Sequence, residues 1–220
     1  DHRDLHSFPT RRSSDLFSES GSTFRLGSAQ FRIPMIGELN VRNALAALLM
    51  ARYAGLSDEQ IQAGFDTFEG IRRRMEIRGE VKGVTVIDDF AHHPTAIRET
   101  LKALSRRFPE RRVWAIFEPR SNTTRRNHFQ IELAEALRLA KRVVVAEVAR
   151  LEQVPPEERL NPAQLMADIR AAGVEADYLP TADEIVAHVV PQAQPGDILC
   201  VLSNGGFDNI HQKLIDALEA

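Results

Sequence analysis

The sequence predicts an α/β chain: a Rossmann-like, mostly parallel sheet with helices on both faces, preceded by a smaller α/β region. Two observations carry that expectation. From Val81 onward, five short apolar runs each lead into a stretch of helical periodicity, the pattern of repeated βα units. The first of these runs passes straight into Asp88-Asp89-Phe90-Ala91-His92-His93-Pro94. That places clustered ionisable groups at the carboxyl edge of a parallel sheet, where such folds bind ligands.

Residues 1–16 stand apart. They have no apolar period, contain Arg11-Arg12-Ser13-Ser14, and read as foreign or disordered, so they are set aside from the fold. Residues 24–36 alternate around Gly27 and end near Pro34, as a short hairpin or edge strands would. Ala, Leu and Met at helical spacing make 39–54 a helix stopped by Gly55. Ser57 opens a second helix, with Gln60 as its capping-box partner, and this helix ends near Phe68. Residues 70–78 are basic and turn-like, so a domain boundary is expected close to them. The division is 17–70 for the first region, 71–80 for a hinge and 81–220 for the second domain. Within that domain, strands are expected at 84–88, 113–117, 142–146, 176–179 and 198–202. Helices are expected at 95–108, 128–140, 162–172, 182–190 and 207–218.

Composition narrows the function classes. The 220 residues are 43% hydrophobic and 27% charged, and a net charge of −3 gives no basic field for nucleic acid. The single cysteine, Cys200, excludes an internal disulfide framework, fits a reducing, cytoplasmic setting, and reads as a buried inert thiol. No apolar run approaches the ~20 residues that span a membrane.

Each strand of the second domain ends in polar residues. The first gives Asp88, Asp89, His92 and His93; the second gives Glu118-Pro119-Arg120-Ser121-Asn122-Thr123; the third gives Glu147; the last gives Ser203-Asn204-Gly205-Gly206. Several polar strand ends together favour a site. Asp89, His92 and His93 have the chemistry of metal ligands, but no fourth ligand is spaced for them, so no protein-only metal site is expected. The alternative is that Asp88 caps the following turn and one histidine is a satisfied, partly buried residue. Arg120 could take a carboxylate bidentately or simply pair with Glu118. The Ser203–Gly206 loop could let a ligand approach the backbone, or its glycines could only make a tight turn. Among Arg72-Arg73-Arg74, one arginine facing a nucleotide would serve a phosphate; otherwise the run is solvated. Asn40 and Asn43 open the first long helix, where Asn caps well but also reads an adenine edge. There is no GxxxxGK[ST] or GxxGK[ST] phosphate loop, no GxGxxG fingerprint and no nucleophile elbow.

Three segments in this order resemble the Mur ligases, ATP-dependent amide-forming enzymes of bacterial peptidoglycan synthesis. They are Gly37-Glu38-Leu39-Asn40-Val41-Arg42-Asn43-Ala44, Gly70-Ile71-Arg72-Arg73-Arg74-Met75-Glu76 and Asp88-Asp89-Phe90-Ala91-His92-His93-Pro94. Glu118–Thr123, Ser203–Phe207 and Ile210-His211-Gln212-Lys213-Leu214 resemble the recycling branch of that family. That branch joins UDP-N-acetylmuramate to the murein tripeptide L-Ala-γ-D-Glu-meso-diaminopimelate.

The resemblance covers residues 24–220 and implies a domain plan. Residues 17–70 would be the end of a central ATPase domain, and 81–220 the C-terminal Rossmann-like domain. The UDP-sugar domain, phosphate loop and Mg²⁺ ligands would lie upstream. It further implies roles: Asn40 and Asn43 toward adenine, Arg74 toward ATP phosphates, Asp89 on the nucleotide, and His92 near the reacting groups as the catalytic candidate. Arg120 would take a peptide carboxylate, with His93, Ser121, Asn122, Ser203 and Asn204 as further substrate contacts. The implied chemistry is an acyl-phosphate formed with ATP and Mg²⁺ and attacked by the tripeptide's amine, in a monomer. Four positions depart from the family pattern: Leu39 where His is frequent, Phe90 where many members carry Tyr, and Asp208-Asn209 where a small-residue pair is expected. The alternatives are a UDP-N-acetylmuramate–L-alanine ligase and a non-catalytic Rossmann-like binding module. Without a phosphate loop, the chain alone is expected to be inactive.

Overall fold

The computed structural model describes residues 17–18 and 21–220. The tail expected at 1–16 lies outside the described residues. The chain divides into two compact units, one reaching Glu69 and the other running from Gly70 to Ala220.

In the first unit, β1 (Phe17–Ser18), β2 (Gly21–Leu26) and β3 (Ala29–Ile33) form an antiparallel sheet, followed by α1 (Glu38–Tyr53) and α2 (Asp58–Asp66). The hairpin turns at Gly27, whose φ of 64° suits a residue without a Cβ. Alternation in β3 buries Phe31 and Ile33, which meet Phe24, Ala44, Leu48 and Ile61 in one cluster. Phe24 stacks on Phe31 at 5.8 Å between ring centroids. The Ser57–Gln60 capping box is present, each side chain bonding the other's backbone amide.

The second unit is a six-stranded sheet in the order β4-β5-β9-β6-β7-β8. Its strands are β4 (Glu76–Val81), β5 (Val84–Asp89), β6 (Val113–Phe117), β7 (Arg142–Ala146), β8 (Glu175–Leu179) and β9 (Ile198–Leu202). All neighbours are parallel except β4 and β5. The connecting helices are α3 (Pro94–Arg107), α4 (Gln130–Leu137), α5 (Pro162–Ala171), α6 (Ala182–Val189) and α7 (Ile210–Glu219).

Period-two alternation sorts each strand between the two faces. Ile198, Cys200 and Leu202 pack with α3, α4 and α5, while Leu199 and Val201 pack with α6 and α7. The chain steps outward from β5 through β6 and β7 to β8 with its helices on one face. It then returns to insert β9 between β5 and β6, and right-handed crossovers put the returning helices on the other face. Cys200 is fully buried, and burial pushes its thiol pKa well above the ordinary value.

One element departs from the expectation. The connector read at 70–78 and the hinge read at 71–80 run into β4 (Glu76–Val81), an edge strand antiparallel to β5. The register shifts between Ile77 and Gly79, which breaks the alternation that would have announced it. The turn into β5 is Lys82-Gly83, both at positive φ (48° and 79°), as a two-residue hairpin requires.

Candidate functional site

Inserting β9 between β5 and β6 creates the topological switch point of the sheet, where the strand ends open a crevice for ligands. Backbone pairing continues past the strand ends. Ser203 N–H donates to Asp89 O and Glu118 N–H to Leu202 O, both at 3.1 Å. The acids of β5, Glu118 after β6 and Ser203 after β9 are therefore held side by side by the sheet.

The two aspartates of β5 do different things. Asp89 is buried, and its carboxylate accepts from the amides of Met75 (2.8 Å) and Ala91 (2.7 Å). Burial raises its pKa, and the two amides only partly offset this. Asp88 faces the other way, toward Arg73 Nε at 3.2 Å and His211 Nε2 at 3.2 Å. The His211 contact is at ion-pair distance but lacks hydrogen-bond alignment. Burial is the largest influence on Asp88 and works upward, yet His211 and Arg73 together outweigh it and the net shift is downward.

Arg73 is the central tie. Beyond Asp88, its guanidinium donates to Ser203 O at 2.6 Å and Gly205 O at 2.9 Å, fixing the loop after β9 from the far end of the unit's sequence. The backbone arranges this: Arg73 and Met75 both have positive φ (57° and 52°), and Phe90 N–H donates to Arg73 O at 2.8 Å. Arg74 is thereby turned outward. It is exposed, lies over the Phe90 ring at 5.8 Å, and has no hydrogen bond or ion pair among the described residues.

The remaining expected residues fall into three groups. His92, half-buried, sits edge-on to Phe90 at 5.3 Å with Nδ1 2.9 Å from Phe90 O; that carbonyl takes the Nδ1 proton and leaves Nε2 as an acceptor. His93 is the N-cap of α3, its Nδ1 accepting from Thr95 N–H, and it packs on Phe129 at 4.8 Å. Arg120 is exposed, with Nη1 3.7 Å from Glu118 Oε1. It lies so close over Gly205 that a Cβ there would stand 2.7 Å from the Arg120 side chain. Ser121 caps its own turn through Thr124, and Asn122 accepts from Arg125. Ser203 is buried, its hydroxyl donating to Glu118 Oε2 at 2.5 Å and accepting from Gly205 N–H at 2.9 Å. Asn204 Oδ1 is buried and has no hydrogen-bond partner among the described residues. Asn40 and Asn43 belong to the first unit, on the first turns of α1; Asn40 Nδ2 donates to Ile36 O at 2.7 Å, while Gly37 is the N-cap.

Between this loop and α7, Phe207, Asp208 and Asn209 all have left-handed φ, from 44° to 54°. The pair that departs from the family pattern thus sits where a residue without a Cβ would be least strained. Among the described residues, no group of three or more His, Cys, Asp or Glu side chains is placed to hold a metal ion.

Sequence reasoning singled out Arg74 and passed over Arg73 and His211. His211 did carry a signal: it shares the helical spacing of Leu214 and Leu218, which are buried, so a polar residue stood on an apolar stripe.

A family profile described as "Mur ligase, glutamate ligase domain" matches residues 73–205. Over 185 residues the chain is 40% identical to the UDP-N-acetylmuramate–L-alanyl-γ-D-glutamyl-meso-2,6-diaminoheptandioate ligase of Escherichia coli, covering 84% of this chain and 38% of that protein. It is 35% identical over 196 residues to the UDP-N-acetylmuramate–L-alanine ligase of Salinibacter ruber, covering 89% of this chain and 40% of that one. The crystal structure of a murein peptide ligase from Psychrobacter arcticus matches at TM-score 0.68 and 35% identity, over 94% of this chain and 43% of that chain. The UDP-N-acetylmuramate–alanine ligase of Thermotoga maritima matches at TM-score 0.74 and 21% identity, over 90% of this chain and 43% of that one, a likeness of fold. The chain spans about two fifths of the length of the curated relatives it matches. With the profile over its larger unit, and relatives of this identity along most of its length, the chain belongs to the Mur ligase family.

Proposed function

We propose that this chain is the acceptor-handling part of an ATP-dependent ligase joining UDP-N-acetylmuramate to the tripeptide L-Ala-γ-D-Glu-meso-diaminopimelate, as used in peptidoglycan recycling. The observation that carries the reading is Arg120. An exposed guanidinium rests over Gly205 at the switch point, ion-paired with Glu118 at 3.7 Å, and its exposed side can take a peptide carboxylate. The 40% identity to the tripeptide ligase of Escherichia coli supports the same substrate. The 35% identity to an L-alanine ligase keeps L-alanine as the alternative acceptor.

Arg74 fits an ATP phosphate, being exposed and without an ion pair among the described residues. ATP, when bound, supplies the phosphoryl group that activates the carboxylate. Among the described residues no group of three or more His, Cys, Asp or Glu side chains is placed to hold Mg²⁺. Arg120 orients the peptide, the Arg73 tie keeps the Ser203–Gly205 backbone in register with it, and His92 Nε2 is the group able to take a proton from the amine as it attacks. Asn40 and Asn43 are the proposed adenine contacts, and Asp89 acts on the nucleotide side through the turn it fixes.

The test is phosphate release from ATP by the complete gene product given UDP-N-acetylmuramate and either acceptor. Release dependent on tripeptide supports the proposal. Release dependent on L-alanine transfers it to the alternative, and dependence on neither leaves a binding module. The chain alone, lacking a phosphate loop, is expected to turn over no ATP.

A further inference from the structure

Asp88 and Asp89 are adjacent buried acids held by different means. Asp89 takes two backbone amides, whereas among the described residues the Asp88 carboxylate meets two side chains, Arg73 and His211. Arg73 Nε lies 3.2 Å from Oδ2, and His211 Nε2 lies 3.2 Å from Oδ1. The Asp88 side chain is buried away from water, so these two partners together offset the cost of its charge.

His211 stands in the first turn of α7, 7% exposed, on the buried stripe of Leu214 and Leu218. An apolar side chain would serve packing alone better there. An imidazole nitrogen without a proton, this close to a carboxylate oxygen, would set lone pair against lone pair. Nε2 therefore carries a proton and faces Asp88 as a donor.

Arg73 is shared between two duties. Its Nε serves Asp88, and its Nη2 serves Ser203 O at 2.6 Å and Gly205 O at 2.9 Å. An Asp88 carboxylate without His211 would draw more of the guanidinium's N–H groups to itself, in competition with those two carbonyls. The loop they belong to reaches further, because the Arg120 side chain lies directly over Gly205. Between that loop and His211 run the left-handed residues Phe207, Asp208 and Asn209, a turn that persists only when its surroundings hold it. Arg73 grips this segment before the turn, α7 grips it after, and Asp88 joins the two grips.

We infer that His211 is a positioning residue: by donating to Asp88 it keeps Arg73 on the Ser203 and Gly205 carbonyls, and so sets the backbone on which Arg120 rests. The step from the loop to peptide binding rests on the ligase reading above; the step from His211 to the loop does not.

The experiment compares the ¹⁵N-labelled chain with two variants. H211Q keeps an N–H of similar reach, and H211L keeps an apolar stripe and removes the donor. Long-range ¹H–¹⁵N spectra of the unsubstituted chain near neutral pH should show a proton on His211 Nε2. H211L should shift the amides of Ser203, Asn204 and Gly205 and the Arg73 Nε–H signal, and H211Q should bring them back toward their original positions. In the complete gene product, H211L should raise KM for the tripeptide about fivefold, the worth of one net hydrogen bond, with KM for ATP unmoved and with H211Q recovering most of the loss. An unprotonated Nε2 overturns the inference with no variant needed, so a failure of H211L to fold does not shelter it. Loop amides unmoved by H211L, or moved equally by both variants, overturn it and leave the tripeptide reading standing. A tripeptide KM unmoved in H211L, with the loop amides shifted, overturns the link to Arg120. Shifts as expected in an enzyme that takes L-alanine and not the tripeptide support the tie from His211 to the loop and overturn the acceptor reading instead.

Discussion

Replacing Asp88 by Asn removes the charge that holds Arg73 without changing the side chain's size. The Asp88 side chain is 4% exposed and that of Arg73 28%, so the pair is buried on one side only. Breaking a fully buried pair costs about 3–5 kcal/mol. Arg73 keeps its bonds to Ser203 O and Gly205 O and some solvent contact. The expected loss is therefore about 2 kcal/mol for D88N and nearer 3 kcal/mol for D88A. Urea unfolding followed by tryptophan fluorescence measures it, because Trp114 is the only tryptophan and is buried in this unit's sheet. The pH dependence gives a second check. The folded pKa of Asp88 is lowered, so its contribution is present above the unfolded value of about 3.9 and is lost as pH falls through the folded pKa. The gap between wild type and D88N should be full at neutral pH and close in acid. A D88N chain within about 0.5 kcal/mol of wild type at neutral pH, the scatter of ordinary surface changes, would refute the assignment. So would a gap that persists unchanged below the folded pKa.

Asp197, buried at the other end of the sheet, accepts from Arg112 Nε (2.8 Å) and Nη2 (2.6 Å), Trp114 Nε1 (3.0 Å) and Gln194 N–H (2.9 Å). D197A should lower stability by about 3–5 kcal/mol in the same urea assay. Asn209→Gly should raise it by about 0.5–1 kcal/mol by relieving a left-handed residue, read as a higher urea midpoint. Cys200 should react with a thiol reagent only as fast as the sheet opens, and labelling of the native chain faster than hydrogen exchange at β9 would contradict its burial.

The central parallel strands were legible because an apolar run is followed by helical periodicity, as in Ile198–Leu202 before Ile210–Glu219. β4 was not, because Arg78 and Gly79 interrupt its alternation and an edge strand need not be apolar on both faces. That polar residues follow the strands was legible, and how their side chains are tied to one another was not. Which of three consecutive arginines points inward depends on positive φ at Arg73 and Met75, a tertiary outcome that residue type does not encode.

The late return of β9 also bears on how the molecule is made. On the ribosome, β5, β6, β7 and β8 are all synthesised before the strand that joins β5 to the rest. Until it arrives, β5 and β6 each expose an unpaired apolar edge, and such edges invite association between chains. Pairings of long sequence separation are also slow to form. The Arg73 tie to Ser203, 130 residues apart, cannot close before then. Nascent-chain aggregation should therefore be most severe in chains arrested just short of Ile198, and should fall once Leu202 and α7 have emerged.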